Sequence, residues 1–158
     1  GVMGSAAQQG RTGALDDAAA NDGFNLVTQQ TAEWNAEKAQ QIVQSVIDAG
    51  TPFNVIYAEN DDMAKGAVAA LDKANISHGV GKDVIVMGFD CNKWALEELK
   101  AGNWNYDGQC NPFQASYIDE IIKKLENGET ISEKTIIMDE KGFDATTITQ
   151  EDVDNYGI

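Results

Sequence analysis

Val84-Ile85-Val86-Met87-Gly88-Phe89 is the stretch that most narrows what this chain can fold into. Six apolar residues in a row leave neither face polar, which marks a strand covered on two sides and so the interior of a parallel sheet. The run stops at Asp90. A second apolar run, Val55 to Ala58, stops at Glu59-Asn60-Asp61-Asp62 and restarts as an Ala-rich pattern, a strand, loop and helix in sequence. That helix spans Asp61 to Ala74 with Met63, Ala67, Ala70 and Leu71 inward, and Asp61 or Asp62 is expected to cap it.

Other segments repeat the alternation. Ser5 caps a helix that runs to Asn21, and Phe24 to Gln29 reads as a short strand followed by the loop Thr31 to Asn35. Ala36, Ala39, Ile42, Val43, Val46 and Ile47 share one helical face that ends at Gly50, with Pro52 beyond. A helix near Asn92 to Ala101 leads to a strand around Asn105 to Gly108, which closes on Gln109-Cys110-Asn111-Pro112. Pro112 opens a helix to Glu126 striped by Ala115, Ile118, Ile122 and Leu125, and Asn127-Gly128 ends it. Thr135 to Met138 reads as a last strand, and the tail from Asp144 to Ile158 holds the capped turn Thr149 to Asp152. Strands alternating with helices imply βαβ units, hence an α/β fold: an open parallel sheet with helices on both faces.

In such a sheet, ligands sit at the carboxyl ends of the strands. Arg11, Asn60, Asp90 and Gln109 all fall at strand ends or helix starts on that edge, and Trp34 joins them from a loop. Arg, Asp, Asn and Gln are planar groups able to engage adjacent hydroxyls, and an indole offers a flat apolar face, a set suited to a sugar. Each residue also has a plainer reading. Asn60 with its acidic neighbours makes a turn and cap, Trp34 a packing aromatic, and Arg11 with Asp90 a structural ion pair.

Composition closes off other classes. A net charge of -15 with 11 Lys and Arg against 26 Asp and Glu opposes nucleic acid and anionic membrane surfaces. No apolar run approaches the roughly 20 residues that span a bilayer, and no signal peptide or lipidation motif stands at Gly1. One His and two Cys without ligand spacing give no parts for a zinc site or a His-dependent triad, and no phosphate-binding Gly loop is present. No catalytic residue, cofactor or metal is expected.

Gly4-Ser5-Ala6-Ala7 with Arg11, Ala32-Glu33-Trp34, Asn60-Asp61-Asp62-Met63-Ala64-Lys65-Gly66-Ala67, Gly88-Phe89-Asp90 and Gln109-Cys110-Asn111-Pro112 together resemble the type I periplasmic sugar-binding proteins of bacterial ABC transporters. The resemblance is to the ribose-, galactose- and galactofuranose-binding kind, and covers nearly the whole chain. It implies that Arg11, Trp34, Asn60, Asp90 and Gln109 line the carboxyl-terminal lobe's side of a sugar cleft, with Ala64 to Ala67 beneath it. It also implies that residues 1–109 are that lobe lacking its first strand, that 110–140 are an interlobe crossing, helix and strand that pack on an amino-terminal lobe, and that 141–158 are the tail. Cys91 stands where the family often has Gly after Gly-Phe-Asp.

The function so implied is the non-enzymatic solute-binding component of an ABC sugar importer, its two lobes closing on a monosaccharide and docking on membrane permease subunits. The location implied is the periplasm or, lipid-anchored, the outer cell surface, with any targeting segment upstream. The fold is shared by the effector-sensing domain of lac-repressor-type regulators, a second reading that the negative charge and the acidic tail disfavour. A sugar-modifying enzyme is a third, without a recognisable catalytic pair. Without the amino-terminal lobe, the chain is expected to be a fragment that binds sugar weakly and self-associates or is complemented by another polypeptide. Cys91 and Cys110 follow neighbouring strands about 4.8 Å apart, within bridging range. Whether their side chains point toward each other is left open by the sequence.

Overall fold

The computed structural model describes residues 1–158. Four strands, β1 (Val55–Tyr57), β2 (Ile85–Asp90), β3 (Tyr106–Gln109) and β4 (Gly142–Asp144), form one sheet in that order. β1, β2 and β3 are parallel, as the βαβ alternation requires, while β4 returns antiparallel along β3. The helices are α1 (Ala6–Asp22), α2 (Ala36–Asp48), α3 (Asp61–Lys73), α4 (Lys93–Lys100), α5 (Ala115–Glu126) and α6 (Gln150–Tyr156).

Local chemistry sets the helix starts. Ser5 accepts from the Gln8 N–H, Asn35 from the Lys38 N–H and Asn60 from the Met63 N–H, each satisfying an amide that the helix cannot. Thr149 and Asp152 form a reciprocal capping box on α6. α3 is the central helix: Met63, Ala64, Ala67, Ala70 and Leu71 are buried, and small residues let its neighbours come close. Gly66 faces the Ala36 carbonyl so tightly that a Cβ would lie 2.0 Å from that oxygen. Trp104, Leu96, Leu99, Val84, Val86, Phe143 and Val153 complete the core. Full burial of a Leu such as Leu71 contributes about 1.5–3 kcal/mol.

β2 is less enclosed than its sequence suggests. Val86 and Gly88 are buried on the face covered by α3, whereas Ile85 on the opposite face is 41% exposed and Met87 and Phe89 are half-buried. Two expected strands are not formed. Phe24 to Gln29 and Thr135 to Met138 run without a ladder, and Phe24, Leu26, Val27, Ile136 and Ile137 are exposed, since neither segment meets a strand edge in this chain. β4 was not foreseen. It has three residues, and only Phe143 turns inward.

The tail is part of the core unit. Phe143 and Val153 are buried, the Lys93 N–H donates to the Ile158 carbonyl (3.0 Å), and the Ile158 N–H donates to the Cys91 carbonyl (3.1 Å). α5 is the opposite case: none of its residues is buried, and Ile118, Ile122 and Leu125 lie open on its apolar stripe.

Candidate functional site

The carboxyl ends of β1, β2 and β3 bring the polar residues together. Asp90 and Gln109 are direct register partners at the ends of β2 and β3, and β1 runs into Ala58-Glu59-Asn60. Arg11 reaches this edge from α1. Its Nη2 donates to Asp90 Oδ1 at 3.1 Å and its Nη1 to the Glu59 carbonyl at 2.5 Å. The guanidinium lies 4.8 Å from the centre of the Phe89 ring and 6.0 Å from that of Trp34, distances at which a cation is attracted to an aromatic face. The Tyr57 hydroxyl donates to the Arg11 carbonyl (3.0 Å) and the Thr12 hydroxyl donates to Glu59, so α1 is fastened to the end of β1 at both backbone and side chain.

The electrostatics follow from partial burial. Burial pushes the Asp90 carboxyl above its ordinary value, the Arg11 guanidinium opposes that, and the Asp62 charge adds to it. Tyr57 is likewise raised, first by burial and then by Glu59. Asp90 keeps Oδ2 for a ligand and Arg11 keeps further N–H donors, so the pair is mutually satisfied yet not exhausted.

Asn60 occupies a different local role from the one expected. It is the cap of α3 itself, its Oδ1 accepting from the Met63 N–H at 2.9 Å, and Asp61 is the first helical residue. The reason is geometric: extended backbone at Asn60 (φ -161°) precedes the first helical turn, which is what a cap requires. The Asn60 Nδ2 group remains for a ligand. Gln109 is held at the sheet edge by Lys141, whose N–H donates to Gln109 Oε1 (3.2 Å), while the Gln109 N–H donates to the Lys141 carbonyl (2.8 Å). Trp34 sits in a turn with φ +61°, half-buried and packed against Gly1, where a Cβ would come within 2.2 Å of the indole. Phe89, Tyr57 and Glu59, which hold Arg11 in place, were not singled out by sequence. Phe89 lies inside the Gly-Phe-Asp motif, and its alternation away from the buried Gly88 was the available signal.

Asp90 and Cys91 both have positive φ, +114° and +61°. The backbone conformation that favours Gly after Gly-Phe-Asp is therefore kept with Cys in place. Cys91 is buried, Cys110 is exposed, and both are free thiols. Beneath Asp90, Asp61 and Asp107 are both fully buried. Two shallow, open concavities lie away from this edge, one lined by Ile47, Pro52, Phe53, Ile76 and Val84 and the other by Val27, Gln30, Ser45 and Val46.

Comparison with known proteins places the fold in a family. The periplasmic binding protein domain family matches residues 1–130. A fructose import binding protein of Bifidobacterium longum is 31% identical over 132 residues, 82% of this chain and 38% of that protein. A periplasmic solute-binding protein of an ABC transporter from Actinobacillus succinogenes, solved with bound D-allose, is 29% identical with a TM-score of 0.79, covering 99% of this chain and 53% of that one. A galactofuranose-binding protein shares the fold, with a TM-score of 0.85 at 22% identity. The chain spans about half, or less, of the length of these relatives. With four-fifths of its length matched, the chain belongs to the periplasmic binding protein domain family.

Proposed function

We propose that this chain is the carboxyl-terminal, sugar-facing lobe of the solute-binding component of an ABC importer, and that Arg11, Trp34, Asn60, Asp90 and Gln109 face a monosaccharide. The observation that carries the reading is Arg11, its fork divided between Asp90 and the Glu59 carbonyl and flanked by the Phe89 and Trp34 rings. Charged donors and acceptors beside aromatic faces match a ring that has hydroxyl edges and C–H faces. The relatives named as import binding proteins, and the neighbour holding D-allose, favour this over an effector-sensing domain.

In this reading residues 1–109 with the tail 141–158 make one wall of the cleft, and residues 110–140 cross to an amino-terminal lobe. The exposed stripe of α5 and the strand-free segment at Thr135 to Met138 support that crossing. Lobe closure around the sugar would shift the population toward the form that docks on permease subunits, in the periplasm or at the outer surface of the cell on a lipid anchor. The lobe performs no chemistry on its ligand. Alone it leaves the sugar's second face in water, where each hydrogen bond nets little, so binding needs both lobes.

The test is calorimetry of the two-lobed protein against pentoses and hexoses in furanose- and pyranose-forming series, with Trp34→Ala alongside. Binding by the parent and a loss of tenfold or more in Trp34→Ala with the fold intact is the expected outcome; about 1.4 kcal/mol corresponds to that factor. Turnover of a sugar, or full affinity without the indole, would overturn the assignment.

A further inference from the structure

Gly88 has no side chain to fill the space above it, and Asp61 fills it instead: a Cβ on Gly88 would lie 2.7 Å from Asp61 Oδ1 and 2.8 Å from the Trp104 ring. Gly88 pairs in register with Asp107 on β3, so Asp107 projects from the same face of the sheet into the same space. Both residues are 0% exposed. The two carboxyls therefore share one closed space beside Gly88. Yet Asp61 Oδ1 and both oxygens of Asp107 lack a donor from any other group. Two buried carboxylates in that arrangement would repel each other with no counter-charge, and no Lys or Arg side chain pairs with either.

We infer that Asp61 and Asp107 share one proton, carried on Asp107 and donated to Asp61, and that this pair positions the loop Asp90-Cys91-Asn92 on the ligand side of the sheet. The partition follows from the donors. Asp61 Oδ2 accepts from the Asn92 N–H at 2.8 Å and from Asn92 Nδ2 at 3.1 Å, and Asp61 begins α3, where the helix dipole favours negative charge. Asp107 has neither advantage and keeps the proton. The charges facing the pair are all negative: Asp90 at the end of β2 raises both carboxyls and the Asp61 charge raises Asp107, while the buried Cys91 thiol is neutral and Asn92 from the start of α4 supplies only neutral donors, to Asp61. Burial and then the Asp61 charge push the Asp107 carboxyl up to about 9. Burial raises Asp61 to about 6, with Asn92 and Asp107 holding it down. The inference needs no ligand and stands apart from the transport reading.

The consequence is a dependence of stability on alkaline pH. A carboxyl whose folded value is raised holds a proton that the unfolded chain has released. Its stabilising effect is complete below the ordinary Asp value of about 4 and is lost as pH rises toward the folded value, with the unfolding equilibrium constant growing about tenfold per pH unit between them. Asp107→Asn supplies a permanently neutral donor to Asp61. Denaturant unfolding of the 158-residue chain from pH 5 to pH 9 should therefore show the parent losing stability relative to Asp107→Asn by about tenfold per pH unit. Parallel pH profiles for the two would overturn the shared proton. Carbon-13 carboxyl titration of the parent protein decides the matter if the variant does not fold. A midpoint above pH 7 assigned to Asp107 supports the proposal, and full ionisation of both carboxyls by pH 6 refutes it.

Discussion

Asn60 is asked to cap α3 with one end of its amide and to meet a ligand with the other, and two substitutions separate those duties. Serine caps a helix as well as asparagine does, because its oxygen accepts the same N–H, but it has no amide donor to offer beyond that bond. Alanine loses both. The Met63 N–H that Asn60 satisfies is buried, and Asn60 is itself only 8% exposed, so water is a poor replacement in Asn60→Ala. That places its cost toward the upper part of the usual range, about 1–2 kcal/mol, while Asn60→Ser should stay within about 0.3 kcal/mol of the parent. For a chain of this length the alanine variant should melt about 3–6 °C lower. Affinity should divide differently: in the two-lobed protein both variants lose the Nδ2 donor, worth about 0.5–1.5 kcal/mol, or roughly two- to twelvefold in Kd. Urea unfolding and calorimetry on the same three proteins read both. If Asn60→Ser melts as low as Asn60→Ala, the cap does not stabilise α3 as argued. If Asn60→Ser binds as tightly as the parent, Asn60 does not touch the ligand.

Asp90→Ala should weaken sugar binding by more than tenfold and lower stability by about 1–2 kcal/mol. This lies between the values for an exposed and a fully buried pair, because the Arg11 and Asp90 side chains are 14% and 27% exposed. Loss of the fold without loss of affinity in what remains folded would return the pair to a purely structural role. Cys110 should alkylate within the dead time of a native labelling experiment while Cys91, buried and with its thiol pushed up by burial, reacts only on unfolding. Equal labelling rates, or a mass two protons light before reduction, would contradict the free and unequal thiols.

Strand and helix order was legible where one residue pattern could satisfy only one environment. The stripe of α2, the Ala-rich face of α3 and the run into Asp90 each specify their element, and the caps Ser5, Asn35 and Thr149 stand where polar side chains precede apolar periodicity. Phe24 to Gln29 and Thr135 to Met138 have the composition of strands but no neighbour in this chain, and a lone strand has no ladder to hold it. The reading of β2 as covered on both faces failed for a related reason. Apolar composition shows what a segment tolerates, whereas the coverage of Ile85 depends on which other elements arrive there.

The candidate site was legible as a set of residue types at strand ends, because backbone direction alone brings Asn60, Asp90 and Gln109 to one edge. What was not legible was the support. Phe89 looks like one more apolar residue in a β2 run, and its role appears only once alternation turns it to the face where α1 places Arg11. Asp107 is the sharper case. In Tyr106-Asp107-Gly108 an acidic residue sits between residues common in exposed strands, which reads as a polar strand end, yet it is fully buried. Register decides this: Asp107 lies opposite Gly88, the one position in β2 with room beside it, and α3 begins with a carboxylate over that same gap. A glycine that looks like a break in an apolar run is thus the space in which two acids meet. The loop that carries Asp90 into the site, with its positive φ at Asp90 and Cys91, rests on that meeting through the two N–H bonds from Asn92.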